Sequence, residues 1–197
     1  SKRSCFRDLL ESMYLNSFMD QVFDRPTYHN KYGLSSMAAH IIPPGGEPMP
    51  LHIDSAVPDP IPSWMIRVIA VITLSDFNQN TGGTFVVPES HRLLRRPISD
   101  EDKKSSGVYL NAKAGSLVLW DGLIWHKSTQ NSSAHNRLGI IISYGASFFK
   151  EICGEEEHLV VVPEKIKSAL SPRLKSLIGM DRGIKKGALF NEYNKSN

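Results

Sequence analysis

The chain has 197 residues, 41% of them hydrophobic and 22% charged, which is enough for one domain with a real core and is ordinary for a soluble globular protein. No apolar run approaches the roughly 18 residues of a membrane span. The net charge of +3 conceals an uneven distribution, because residues 1–162 carry 15 Lys and Arg against 17 Asp and Glu while residues 163–197 carry 8 against 3; with no aromatic interleaving and no nucleic-acid motif, that basic end reads as a solvated helix and tail, not a nucleic-acid surface.

Residues 5–23 are expected to form an amphipathic helix, with Phe6, Leu9, Leu10, Met13, Phe18 and Val22 close to one face and Asp24-Arg25-Pro26 ending it. From residue 35 onward the periodicity changes to short strands. The first covers 35–42 and stops at Pro43-Pro44-Gly45-Gly46. The clearest covers 65–74, where Ile66, Val68, Ala70, Ile72 and Leu74 fill one face and Arg67 and Thr73 interrupt the other. Strands over 84–88, 116–120, 122–126 and 138–148 follow, separated by turn chemistry such as Asn80-Thr81-Gly82-Gly83 and Lys113-Ala114-Gly115. Residues 89–104 interrupt the strands and are expected to cross a barrel mouth. An acidic linker at 151–157 precedes two short helices, 163–170 and 172–178, the second closed by Gly179. Many short strands with few helices between them point to an antiparallel sandwich or barrel. The expected organisation is a single domain: a helical N-terminal support (1–34), a β core (35–149) and a helical, basic C-terminal tail (150–197). Ser1-Lys2-Arg3-Ser4 is not followed by a signal-type apolar region. The two cysteines, Cys5 and Cys153, lack metal spacing, so a reducing, cytoplasmic location is expected.

Function is readable from one constellation. His52-Ile53-Asp54, read as lying on a strand, puts its imidazole and carboxylate on the same face, because strand side chains alternate. His126 ends a later strand, and Arg137 follows it by eleven residues. Two imidazoles and one carboxylate with open coordination positions form the facial triad of non-haem Fe(II) oxygenases. An isolated His-x-Asp would prove little. Here Ser128, two residues beyond His126, can project to the same side, and Arg137 opens the next strand after a polar turn. A guanidinium with a hydroxyl is a sound carboxylate receptor.

These segments resemble the phytanoyl-CoA dioxygenase family of Fe(II)/2-oxoglutarate-dependent oxygenases. Three blocks in order carry the resemblance: Leu51-His52-Ile53-Asp54; Asn80-Thr81-Gly82-Gly83-Thr84-Phe85-Val86-Val87-Pro88-Glu89-Ser90-His91; and the stretch from Gly115 to Arg137. The middle block departs from the family pattern in an inserted Thr81 and in Glu89, where Gly is common. The resemblance implies a mainly β fold, a double-stranded β-helix or jelly-roll barrel related to cupins, with flanking N- and C-terminal helices. It implies that His52, Asp54 and His126 bind Fe(II), that Arg137 with Ser128 holds the distal carboxylate of 2-oxoglutarate, and that Thr84 contacts this cosubstrate. O2 would be the oxidant and ascorbate an accessory reductant. The expected reaction is hydroxylation of an unactivated C–H of a small molecule, with release of succinate and CO2. Related halogenases lack the carboxylate ligand, so Asp54 implies oxygenation. No nucleic-acid or membrane partner is implied, and the oligomeric state is not readable.

Two other readings compete: a catalytically silent jelly roll that binds a ligand or partner, and a cupin-type metalloenzyme that does not use 2-oxoglutarate. The intact His/Asp/His/Arg set weighs against the first, and Arg137 with Ser128 against the second. His91 suits a structural hydrogen bond better than a metal, and His40 is expected to be a satisfied core histidine more than a pocket residue. His29, His135 and His158 are expected in solvent, and Trp120 and Trp125 in the core. Trp64 borders the cosubstrate or caps the barrel, and Arg67 faces either pocket or solvent. The loops 55–63 and 89–104, with strand 35–42, are where substrate specificity is expected.

Overall fold

A computed structural model of the chain describes residues 4–24, 32–55, 57–146 and 164–180. These fall into two compact units, one of residues 1–33 and 153–197 and the other of residues 34–152.

The first unit is helical. The single helix expected over 5–23 is two, α1 (Ser4–Leu10) and α2 (Met13–Phe23), separated at Glu11-Ser12. The break resets the helical phase. Leu15, Met19 and Phe23, four residues apart, make the buried stripe, whereas Met13 and Phe18 lie exposed. Ser171 caps the last helix, α5 (Pro172–Leu177), by accepting from the Leu174 N–H, and Pro172 occupies its first turn. Gly179, at φ +77°, ends the segment. A shorter helix, α4 (Glu164–Lys167), stands where 163–170 was expected. Arg173 ties this C-terminal part to α2 by hydrogen bonds to Asn16 and Asp20.

The second unit is two antiparallel sheets. The larger has the order β1 (Tyr32–Ile42), β7 (Arg137–Ala146), β2 (Arg67–Thr73), β5 (Leu117–Asp121); the smaller has β4 (Val108–Tyr109), β3 (Thr84–Val86), β6 (His126–Ser128). With few helices beside them, these sheets make the fold mainly β, in the jelly-roll class. β2 pairs with β7 on one side, Ile69 opposite Ser143, and with β5 on the other, Ala70 opposite Leu119. Being central, β2 is buried on nearly its whole length. Leu74 lies past its end and is exposed.

Two differences from the sequence-based expectation have local causes. Residues 122–125 are a turn, and the strand is His126–Ser128. Asp121 turns the chain there by accepting from Leu123 through its side chain and from Ile124 through its carbonyl. β4 was not expected because two exposed residues carry no periodicity. The excursion over 89–104 is built, not loose. It contains a 3-10 turn (Ser90–Leu93) and the short helix α3 (Asp100–Lys103), whose Ser99 and Asp102 form a capping box. Glu89 there has φ +63°, the left-handed conformation that glycine adopts without strain.

Val57, Ile61, Ile66 and Leu123 form one apolar cluster, against which Ile53 and Trp64 pack. Ile69, Val71 and Phe77 form another, bordered by Val118, Trp120 and Ile141. Trp64 is thus a packing residue of the first cluster. The end of the strand expected over 138–148, the acidic run at 151–157, Pro163, Cys153, His29, His158 and the basic end from 181 lie outside the described residues. No described helix is long and apolar enough to cross a membrane.

Candidate metal centre and its pocket

His52 and His126 are brought face to face by backbone. Each donates its N–H to the other's carbonyl at 3.0 Å, an isolated antiparallel bridge. Their ring centroids are 4.4 Å apart. The strand expected under His52 and Asp54 is not formed, because the segment pairs only at the His52 bridge, yet Asp54, two residues on, still turns its carboxylate toward the imidazoles. Its Oδ2 is 3.1 Å from His126 Nε2 and its Oδ1 is 3.7 Å from His52 Nε2. The other ring nitrogens are committed elsewhere: His52 Nδ1 donates to the Pro50 carbonyl at 2.8 Å and His126 Nδ1 to the Ile124 carbonyl at 2.9 Å. A carbonyl can only accept, so both rings carry hydrogen on Nδ1 and turn Nε2 toward Asp54. This is the arrangement that orients metal-binding histidines. One ligand atom from each residue can be chosen so that all three lie within 4.8 Å of one another.

The electrostatics follow. Burial pushes the Asp54 carboxyl upward, but His126 at 3.1 Å and then His52 at 3.7 Å outweigh it and hold the group well below the usual carboxylate range. The nearby Asp54 carboxylate raises His52, against burial, with support from the Pro50 carbonyl. A carboxylate between two imidazole nitrogens is a donor set suited to a divalent cation.

The group opens onto a cavity of about 210 Å³. Its walls obey strand alternation: Arg67, Ile69 and Val71 line it from β2, and Arg137, Gly139, Ile141 and Ser143 from β7. Arg137 is 3% exposed. It donates through Nη1 to the Gly82 carbonyl at 2.9 Å and through Nη2 to His40 Nδ1 at 3.2 Å, and its guanidinium lies 4.4 Å over the Phe77 ring. Its Nε is buried with no hydrogen-bond partner. Burial lowers its pKa to about 10, so it stays cationic at neutral pH. Gly82 has φ +74°, and a Cβ there would stand 2.8 Å from the Thr129 carbonyl oxygen. The turn that aims the Gly82 carbonyl at Arg137 therefore requires glycine. The inserted Thr81 closes the same turn, donating from Oγ1 to the Asp76 carbonyl and accepting from the Asn78 N–H.

Ser128 and Thr84 are directly opposed across β6 and β3, both buried and both on the cavity wall. Ser128 Oγ accepts from the Met49 N–H at 3.2 Å, which leaves its own hydrogen to donate. All six residues singled out for metal or cosubstrate thus line one cavity.

Four further wall residues were missed or placed differently. His40, expected in the core, lines the cavity and contacts Arg137. Arginine can only donate, so His40 Nδ1 accepts and the ring hydrogen sits on Nε2. Burial, then the neighbouring Arg137, lowers its pKa. The signal was alternation, since His40 follows Ser36 by four residues on the same face of β1 and both line the cavity; the partner, 97 residues away, gave none. Trp120 lies 5.3 Å from the His126 ring, tilted 55° to it, and is a cavity wall, whereas Trp125 is core as expected. Phe77 provides the aromatic face for Arg137. Arg67, undecided from sequence, faces the cavity. His91 lies apart from the histidine–aspartate group, its Nδ1 buried without a hydrogen-bond partner, and His135 is exposed.

The loops are tied to this frame. Arg95 makes a two-pronged pair with Asp102 at 2.7 Å, stacks 4.8 Å over Trp125 and accepts the Trp125 indole N–H on its carbonyl. Arg96 donates to the Val57 carbonyl and to Asp59, joining loop 89–104 to loop 55–63.

Comparison with known proteins gives the following. The model of the family described as phytanoyl-CoA dioxygenase matches residues 1–139. The protein named Dioxygenase af480, of Aspergillus fumigatus, is 28% identical over 151 residues, covering 75% of this chain and 47% of that protein. The chain spans about half the length of the curated relatives it matches. Among solved structures, AviO1 from Streptomyces viridochromogenes Tue57 superposes with a TM-score of 0.54 at 22% identity, over 72% of this chain and 61% of that one. EctD from S. alaskensis, solved with bound Fe, gives 0.50 at 21%, over 60% and 46%.

Proposed function

The chain belongs to the phytanoyl-CoA dioxygenase family, and on that premise we propose that it is an Fe(II)/2-oxoglutarate-dependent dioxygenase that hydroxylates a C–H of a small-molecule substrate, releasing succinate and CO2. The observation that carries the reading is the pairing of two features in one cavity: Nε2 of His52, Nε2 of His126 and the Asp54 carboxylate converge at one side, and a buried guanidinium with an unsatisfied Nε stands at another. The residues fit both groups. Three N/O donors suit Fe(II) and leave positions open, and a buried arginine suits a dicarboxylate. The iron-containing EctD, of similar fold, supports the assignment.

His52, Asp54 and His126 would hold the metal, and Arg137, Ser128 and Thr84 the cosubstrate. Bound Fe(II) with 2-oxoglutarate supplies the oxidative decarboxylation and the activation of O2. The protein's share is placement and exclusion. The Pro50 and Ile124 carbonyls hold the imidazoles in the tautomer that leaves Nε2 for the metal. Arg137 and the Ser128 hydroxyl fix the far carboxylate and so the direction from which the cosubstrate reaches the metal. Ile69, Val71, Phe77 and Ile141 dry the space between, which strengthens both interactions.

The test is an anaerobic Fe(II) titration followed by O2-dependent assay of succinate. A single tight site per chain, with succinate formed only when Fe(II) and 2-oxoglutarate are both present, is expected even without substrate. Iron bound without any 2-oxoglutarate turnover would favour the cupin-type alternative, and no iron bound would favour a silent jelly roll.

A further inference from the structure

The metal ligands are not held alike. His52 and His126 fix each other through their reciprocal backbone bridge. Asp54 lies in a segment that belongs to no strand, yet its carboxylate must meet both Nε2 atoms. A closed ring of three hydrogen bonds holds it. The Asp54 N–H donates to the Gly122 carbonyl at 2.9 Å, the Gly122 N–H donates to the Arg67 carbonyl at 2.9 Å, and Arg67 Nη1 returns to the Asp54 carbonyl at 2.8 Å. The Gly122 carbonyl also accepts from the Ser55 N–H at 3.0 Å. The peptide planes before and after Asp54 are both pinned, so its φ and ψ, and with them the direction of its Cα–Cβ bond, have little freedom. Of the ring's three bonds, two are backbone to backbone; the third comes from the Arg67 side chain.

We infer that Arg67 is a positioning residue for the metal-binding carboxylate, and that Gly122 is its required partner. Arg67 is 4% exposed, so water cannot readily replace its guanidinium at the Asp54 carbonyl. It sits at the β2 end where the strand meets the turn after β5, with Val68 opposite Asp121. A rigid sheet thereby reaches out to an irregular segment. Gly122 admits the close approach: a Cβ there would lie 2.6 Å from Ser55 Oγ and 2.9 Å from Arg67 Cβ. The inference rests on the proposed metal role of Asp54 and adds a residue that need not touch metal or cosubstrate to serve it.

The test uses Co(II) as a spectroscopic probe on the full chain, comparing wild type with Arg67→Gln, Arg67→Met and Arg67→Lys. Outer hydrogen-bond partners of metal ligands typically change affinity by about 10–100-fold. Arg67→Gln is expected to weaken Co(II) about tenfold and to alter its visible spectrum, because the carboxylate is no longer presented at one angle. Arg67→Lys, which keeps a donor of similar reach, is expected to recover part of both. Arg67→Met keeps the packing of the stem and carries the test if the glutamine variant does not fold. Wild-type affinity and spectrum in a folded Gln or Met variant would overturn the inference while leaving the metal site intact. Failure of the wild type itself to bind Co(II) or Fe(II) would instead strike the functional reading on which it rests.

Discussion

The two working ends of the cavity are prepared in different ways. At the end proposed for the metal, a carboxylate is already in place: Asp54 faces two imidazoles, and each imidazole is steered by a carbonyl of its own segment. At the cosubstrate end, a buried cation is held by neutral groups, the Gly82 carbonyl, the His40 ring and the Phe77 face, with Nε left unsatisfied. On the proposed function, each end is prepared for a different ligand. The first, with its carboxylate and two imidazole nitrogens in place, would take a metal cation. The second has a cation whose described partners bring no formal charge, so an anionic ligand supplies what is missing.

The largest expected effect breaks the metal end. His52→Ala, Asp54→Ala and His126→Ala should each abolish turnover and weaken Fe(II) in anaerobic titration, with 2-oxoglutarate losing its metal anchor as a consequence. Iron affinity unchanged in all three would remove the basis for calling this end a metal centre.

Next comes the cosubstrate end, where the effect should separate cleanly from the first. Arg137→Ala should leave iron bound but weaken 2-oxoglutarate by roughly 2–5 kcal/mol, the usual cost of removing one partner of a buried charge pair. Ser128→Ala should cost about 1 kcal/mol, as for one hydrogen bond. Calorimetric titration of 2-oxoglutarate into the metal-loaded variants measures both. An Arg137→Ala protein with wild-type affinity would mean that another cation receives the carboxylate.

The smallest effect sharpens the comparison through pH. His40 has a folded pKa below its ordinary 6.5, from burial and then Arg137. The unfolded chain therefore binds that proton more readily than the folded one. The contribution of His40 to stability is complete above 6.5 and is lost as pH falls through that value toward the lower folded one. Denaturant midpoints from about pH 8 to about pH 5, in wild type and His40→Gln, should show a shallower acid-side decline in the variant. An identical decline would show that His40 is not coupled to the cation beside it.

Glu89 illustrates how a local reading survives contact with the structure. The family pattern favours glycine at that position, and the backbone there is left-handed, so the preference has a conformational cause that the residue alone does not reveal. The helix over 5–23 illustrates the opposite. Its apolar positions fit one continuous face, but the break at Glu11-Ser12 shifted the buried stripe to Leu15, Met19 and Phe23. A periodicity count cannot see a break that leaves the apolar spacing plausible.

Features that depend on neighbours along the chain were legible in the residues alone. Two-residue alternation placed His52 with Asp54 and His126 with Ser128. The run of apolar residues marked β2, and the order of three short blocks carried the family resemblance. Which distant group each of these meets was not legible before the chain was folded. His40 meets Arg137 across 97 residues, Arg67 meets the Asp54 carbonyl, and the histidines meet across an isolated bridge that lies outside any regular pair of strands. The physical reason is register: alternation says which face a side chain takes, but the partner on that face is set by how strands slide against one another. A one-residue shift of β2 or β7 would have exchanged that strand's cavity residues for their neighbours on the other face.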